Sequence, residues 1–309
     1  MKKEILSFLF FGFSFYFCIS NNAKASWQQV TVTPISGVSQ MVTGGFHYKV
    51  LAEQNLFNSQ YEMMTGDDAV LSYQTFNDLK IYQAPKTSLK IEPKKLGDKI
   101  IFQLEEGELV ITSELLEASR SEKKLIKSLI IQEKYHQDYL LQINVISPHA
   151  IFSFTHQKGQ YQIKLHEGEL LFSEVNQTKQ KIKKNDFKLL AGEEIKWKEK
   201  KFFAHFEPKD LQKLLMQNFL EISLAQNDPL NLTYFAPFTI LRDQEFPLPY
   251  ILQIGNNPFF QGKIEETMIT YPQGLLNLKM PSADGPWFFR LSSSLSDKKN
   301  VSLGRIVKK

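Results

Sequence analysis

The chain holds a single cysteine, Cys18, within an apolar opening segment. A disulfide framework, a thiolate metal site and a cysteine nucleophile are therefore excluded from everything that follows that segment. Glycine and proline are scarce, at 15 and 13 of 309 residues, which excludes collagen-like and low-complexity chains. Neither sign of charge dominates. The formal net charge is +4, and Lys2, Lys3, Lys24 and Glu4 in the first 25 residues leave +2 for the remainder. Such a balance argues against nucleic acid as the main partner. The six histidines form no H-x-H or H-E-x-x-H spacing, and no G-x-S-x-G, P-loop or dinucleotide fingerprint occurs.

Apolar side chains are plentiful. Hydrophobic residues make up 42%, with 25 phenylalanines, enough for real cores. Met1-Lys2-Lys3, the apolar stretch Ile5 to Ile19 and Ala23-Lys24-Ala25 predict a cleaved signal peptide over 1–25. The stretch is short for the ~20 residues of a membrane-spanning helix. Lipidation at Cys18 is disfavoured, because Phe15-Tyr16-Phe17 lacks the small residues such a site needs. The expected destination is the periplasm, or the exterior.

One octapeptide recurs. Leu104-Glu105-Glu106-Gly107-Glu108-Leu109-Val110-Ile111 returns 61 residues later as Leu165-His166-Glu167-Gly168-Glu169-Leu170-Leu171-Phe172. A glycine between β-forming runs suits a bulge or tight turn with φ > 0. Gly107 and Gly168 are thus expected to be structural, with Leu109 and Leu170 buried, in two related β units. The flanking glutamates could suggest the paired carboxylates of a glycosidase. Their place in a repeat beside a turn glycine favours exposed turn geometry.

Short alternating strands are predicted at 29–33, 70–76, 79–82, 89–91 and 100–111, and again from 139 to 206. Residues 125–132 lean to strand, since Ile126, Ile130 and Ile131 are β-branched. Lys179 to Lys184 carries four lysines, the pattern of a solvated hairpin. Pro208 and the spacing of Leu211, Leu214, Leu215 and Phe219 predict an amphipathic helix, ended by Asn227-Asp228-Pro229. Residues 230–309 read as a small β-sandwich, with Tyr250–Ile254 and Trp287–Leu291 as its inner strands.

The segment Met64-Thr65-Gly66-Asp67-Asp68-Ala69-Val70-Leu71, the polar strand Ala84-Pro85-Lys86-Thr87-Ser88-Leu89, and Leu104 to Ile111 follow one another in a recognisable order. Ser147-Pro148-His149-Ala150, Gly159-Gln160-Tyr161 and Ala191-Gly192-Glu193 continue it. Together these resemble the FecR domain family over roughly 28–203. Tyr250 to Phe260 and Gly285 to Leu291 resemble a fibronectin-type module. The resemblance implies a periplasmic β domain that contacts proteins or polymers. It marks Gly66, Gly107, Gly168 and Gly192 as structural positions. In the best-known members such a domain faces an outer-membrane receptor and is joined through one span to a cytoplasmic anti-sigma segment.

The expected organisation is therefore all-β: a signal peptide (1–25), a FecR-like domain of two related β units (26–206), a helical linker (207–229) and a fibronectin- or immunoglobulin-like sandwich (230–309). The expected function is non-enzymatic binding or scaffolding, without cofactor or metal, toward an envelope protein or peptidoglycan. A signalling input is the alternative, and a cell-wall glycan hydrolase the third. On strand 287–291, Trp287 and Phe289 should share one face and Phe288 and Arg290 the other. One face should be core. Phe288 and Arg290, with Lys181, Lys183 and Lys184 of the basic run, are the candidate partner surface. His149, His156 and His166 are weighed as a metal site and read instead as solvated or structural.

Overall fold

A computed structural model describes residues 30–57, 60–75, 79–92, 100–113, 127–132, 139–147, 149–176, 182–198, 218–224, 226–228, 233–242, 249–271, 273–281, 285–293 and 302–308. The expected signal peptide, strand 202–206 and most of the expected helix lie outside them. Among the described residues every regular element is a strand.

The first unit is two β layers around one core. The outer layer runs β4 (Gln54–Leu56), β1 (Val30–Ser36), β6 (Val70–Gln74), β7 (Leu79–Gln83), β9 (Ile101–Ser113), β12 (Ala150–Gln157), β13 (Gln160–Glu167) and β16 (Glu194–Lys198). The inner layer runs β3 (Phe46–Lys49), β2 (Ser39–Thr43), β5 (Tyr61–Thr65), β8 (Ser88–Glu92), β9 again, β10 (Lys127–Gln132), β11 (Tyr139–Val145), β14 (Glu169–Asn176) and β15 (Ile182–Leu190). All neighbours are antiparallel except β9 and β10. Alternate side chains of both layers, among them Val32, Met63, Tyr73, Ile91, Phe152, Ile163 and Phe172, merge in one apolar cluster.

The repeated octapeptide makes the corners. Up to Glu106, β9 pairs with β8 and β10 of the inner layer. From Gly107 onward it pairs with β12 and β7 of the outer layer. The second copy does the reverse, leaving the outer layer with β13 and entering the inner one as β14. Gly107 (φ 110°) and Gly168 (φ 88°) both take the left-handed backbone region that glycine alone enters without cost. Leu104, Leu109 and Ile111, and their counterparts Leu165, Leu170 and Phe172, all point into the core. In a regular strand, positions 104 and 109 would face opposite sides, and the glycine corner removes that conflict.

A hydroxyl locks each corner. Thr87 Oγ1 accepts the Glu108 N–H at 3.1 Å, and Ser147 Oγ accepts the Glu169 N–H at 2.9 Å. The Glu108 carbonyl accepts from Ala84 N–H and the Glu169 carbonyl from Ile146 N–H. Around Thr87 lies a buried polar network. Gln83 Nε2 donates to Thr87 O at 2.8 Å and Met63 O at 3.0 Å, and Tyr73 Oη donates to Gln83 Oε1. Gly192 takes φ 86° in the turn closed by Glu193 N–H on Leu190 O, and the Glu193 carboxylate also accepts the Leu190 N–H. Gly66, marked by the resemblance, has no positive φ.

The second unit joins two small sheets. One holds β17 (Asn218–Leu224), β18 (Gln226–Asp228), β19 (Thr233–Arg242) and β22 (Gln273–Lys279). The other runs β24 (Ser302–Lys308), β23 (Trp287–Ser293), β20 (Tyr250–Gly255) and β21 (Ile264–Ile269). A parallel contact of β17 with β24 links them. Tyr250, Leu252, Ile254, Leu278, Trp287, Phe289 and Leu291 form the core, so β20 and β23 are inner strands as expected.

Two expectations are corrected. Phe219, placed on the amphipathic helix, lies in β17, where it pairs with Leu241. Asn227 and Asp228, read as the end of a linker, pair with Tyr234 and Thr233. Residues 218–228 thus belong to the second unit's strands, because pairing with β19 and β24 outweighs a four-residue helical spacing. Residues 182–184 of the basic run begin strand β15, which pairs antiparallel with β14, Lys183 opposite Glu174. Lys181 lies outside the described residues.

Candidate functional site: the seam between the units

Tyr82 on β7, Val110 on β9 and Ile151 on β12 sit on adjacent strands, facing away from the first core. Their chain neighbours Ile81, Ile111 and Phe152 face into it, as strand alternation requires. The second unit covers the three with Phe260, Phe288, Leu303 and Phe259. Tyr82, Val110, Ile151 and Phe288 are each exposed by no more than 2%. The Phe288 ring meets Tyr82 edge-on, with centroids 5.2 Å apart and planes at 82°, a favoured aromatic geometry.

Local chemistry positions each part. Asn257, itself buried, accepts the Phe259 and Gln261 N–H groups through Oδ1 and donates to Gln261 O through Nδ2. That Asx turn carries Phe260 into the seam at φ 55°, a conformation costly for an aromatic residue. Arg290 donates from Nε to Gln253 Oε1 at 2.9 Å and lies 4.5 Å above the Phe260 ring, a cation–π contact. Lys80 Nζ stands 5.5 Å from the Tyr82 ring centre.

The face split expected for 287–291 holds. Trp287 and Phe289 are core, and Phe288 and Arg290 point outward. The assignment of Phe288 to an outside partner is corrected, since the chain's own first unit buries it. Lys183 and Lys184 lie on β15, in the other layer from the strands of the seam.

Titratable groups share the outward face of β13 and its neighbours, and β24 packs against β13. His166 is buried and bonds Ser153 Oγ through Nε2 at 3.2 Å, while its Nδ1 has no partner. Burial, and then the Lys164 charge, hold its pKa down at about 3. Burial also pushes Lys164 down, with Glu194 and Glu108 opposing. The carboxyls of Glu108 and Glu167 are pushed up by burial. Lys164 partly offsets this for Glu108, and His149 and Arg305 do so for Glu167. Ser153 and His166 have the spacing of a nucleophile and base, yet nothing orients the imidazole from Nδ1 and both groups are covered. His156 is engaged structurally, with Nδ1 3.1 Å from Leu104 O and its ring stacked 4.0 Å from Tyr161. His149 is exposed, so the three histidines do not converge. Glu105, expected at an exposed turn, is instead mostly covered and bonds Lys90 Nζ at 3.0 Å. Among the described residues no three His, Cys, Asp or Glu side chains converge as a metal site, and no helix is long and apolar enough to cross a membrane.

Tyr82, Phe260 and Leu303 escape the sequence reading. A usable signal was present. Ile81-Tyr82, Leu109-Val110-Ile111 and Trp287-Phe288-Phe289 are unbroken apolar runs, which mark strands covered on both faces.

No protein-family model matches the chain, and no curated protein matches it. It is similar to two crystal structures described as "a putative anti-sigma factor from Parabacteroides distasonis ATCC 8503". The first is 11% identical with a TM-score of 0.33, over 50% of this chain and 60% of that one. The second is 12% identical with a TM-score of 0.32, over 50% of this chain and 59% of that one. The matched part is thus about three fifths of those neighbours' length.

Proposed function

We propose that the chain is a non-enzymatic binding or scaffolding module of the bacterial envelope, FecR-like in its first unit and fibronectin-type in its second. The observation that carries this reading is the exposed apolar edge of the first unit. Phe46 and Leu51 are 67% and 80% exposed, and Tyr48, Phe57 and Val38 are exposed within the same stretch of chain, the most exposed large apolar side chains described in the first unit. A cluster of this kind marks an interaction surface. The seam occupies Phe288 and Arg290 internally, which leaves partner contact to that edge. The histidines and glutamates near the seam serve packing, and no catalytic centre, cofactor or metal is assigned. The partner class is an envelope protein or peptidoglycan in the periplasm.

A photo-crosslinking residue at Leu51, expressed in intact cells, tests this. Adducts well above those of the same probe at exposed Lys263 are expected. Equal yields would sink the reading, and so would glutamate-dependent release of glycan from purified sacculi. A signalling input is the second reading. The left-handed Phe260 in the seam favours it, because undocking of the second unit would relieve that strain.

A further inference from the structure

The exposed edge ends in β3, which among the described residues hydrogen-bonds to β2 alone. Gly44 and Gly45, at φ 56° and 81°, form the two-residue turn of the β2–β3 hairpin. In such a hairpin Thr43 and Phe46 exchange backbone hydrogen bonds, and alternation makes Met41 with Tyr48 the next bonded pair. The Val50 N–H to Ser39 O bond at 3.0 Å confirms that phase. The backbone groups of His47 and Lys49 therefore point outward, and no strand among the described residues meets them. The side chains of Phe46 and Tyr48 lie on one face and those of His47 and Lys49 on the other.

We infer that β3 pairs antiparallel with β3 of a second copy of this chain, about a two-fold axis through His47. The inference rests on the reading of this edge as a binding surface. It follows from three features that a two-fold pairing must satisfy together. Centring on His47 sets His47 opposite itself as a hydrogen-bonded pair, which is the phase its outward N–H and C=O require. The same register sets Phe46 opposite Tyr48 of the other copy, twice, on one face, and aromatic cross-strand pairs are among the favourable ones. Each Lys49 then lies opposite Gly45 of the other copy, so no lysine meets a lysine. Of the features that blunt an edge, β3 has brevity and Lys49, which weaken the pairing, but neither a proline nor a bulge that would block it. An isologous contact closes after two copies and does not propagate. A four-residue strand buries less than the ~1,200 Å² of a stable interface, so the dimer is reversible.

The test uses the protein purified from expressing cells with Cys18→Ser in place. Light scattering should give a mass near two chains at about 100 μM and near one chain at about 1 μM, the behaviour of a small interface. Tyr48→Lys, at a half-exposed position, should keep the parent's melting temperature and reduce the dimer fraction roughly tenfold. Under mild oxidation His47→Cys should form disulfide-linked dimers, because directly opposed Cα atoms about 5.5 Å apart suit a disulfide. Lys49→Cys should not, since its two copies lie several residues apart along the paired strands. A parent that stays monomeric at 100 μM, or Lys49→Cys linking as readily as His47→Cys, would overturn the inference. A monomer that still gives Leu51 adducts with another envelope component would overturn it and leave the binding-module reading standing. A monomer without adducts would defeat both.

Discussion

The two copies of the Glu-Gly-Glu octapeptide do the same mechanical work in different surroundings. Both turn the chain from one layer to the other on a left-handed glycine, and both set three apolar side chains into one core. Their outward residues have diverged. Val110 of the first copy lies in the seam at 1% exposure, while its counterpart Leu171 is only partly buried. Glu108 sits near Lys164, whereas Glu169 reaches a solvent-facing Lys188 at 2.9 Å. The corner glycine is fixed by backbone geometry, and its neighbours are free to serve whatever covers them.

The strongest way to break this equivalence is at the glycines. A Cβ at Gly107 would strike Thr87 and come within 2.7 Å of its Cα. One at Gly168 would strike the His149 carbonyl and come within 3.0 Å of Ala150 Cα. Either Gly→Ala change should cost about 2–4 kcal/mol by denaturant melts, combining left-handed strain with overpacking. If one copy tolerates alanine, the two corners are not the same device.

His166 stands where the first copy has Glu105, and it makes the fold sensitive to acid. His166 keeps a pKa of about 3 in the fold, below its ordinary value. The unfolded chain therefore binds the extra proton between about pH 6.5 and 3. Stability should fall with pH through that window, by up to about 1.4 kcal/mol per pH unit from this group. His166→Gln should flatten the curve, and an unchanged slope would remove His166 as its cause.

The hydroxyl locks come next. Thr87 is buried and also anchors the Gln83 network, while Ser147 is half-exposed. Thr87→Val should cost about 1–3 kcal/mol by leaving a buried N–H unpaired. Ser147→Ala should cost less than about 1 kcal/mol, since water can replace it. The smallest effect lies at the glutamates, and there the signs differ. The Glu108 carboxyl is raised, so the fold favours its protonated form, and that contribution is lost as pH rises through the folded value. Glu108→Gln should melt above the parent at pH 8, with the gap closing near pH 4. Glu169→Gln should lose under about 0.5 kcal/mol, the worth of an exposed ion pair.

Much of the first unit was legible because its strands alternate cleanly. The strands expected from 139 onward appear as β11 to β16 over 139–198. The reading of Gly107 and Gly168 held because left-handed backbone has a chemical signature. Phe219 was misread because its partners Leu241 and, through β17, Val307 are remote in sequence, and four apolar residues at helical spacing cannot reveal them. Phe288 was placed on the correct face, but a strand cannot declare whether its second face meets solvent, a partner or its own chain. Strands β2 to β4 carry few turn signals apart from Gly44-Gly45, and they were not separately delimited.

Strand β9 belongs to both layers at once, and this has a consequence for how the first unit comes apart. Neither layer can lose its strand at β9 while the other remains whole, because Gly107 joins the two halves covalently within 13 residues. Fraying can begin at β3, β4, β15 or β16, each paired on one side only among the described residues. The amides of 101–113 should exchange with deuterium last, and only when the whole unit opens. The corner thus acts as a cooperativity device, converting two sheets that could melt in sequence into one transition.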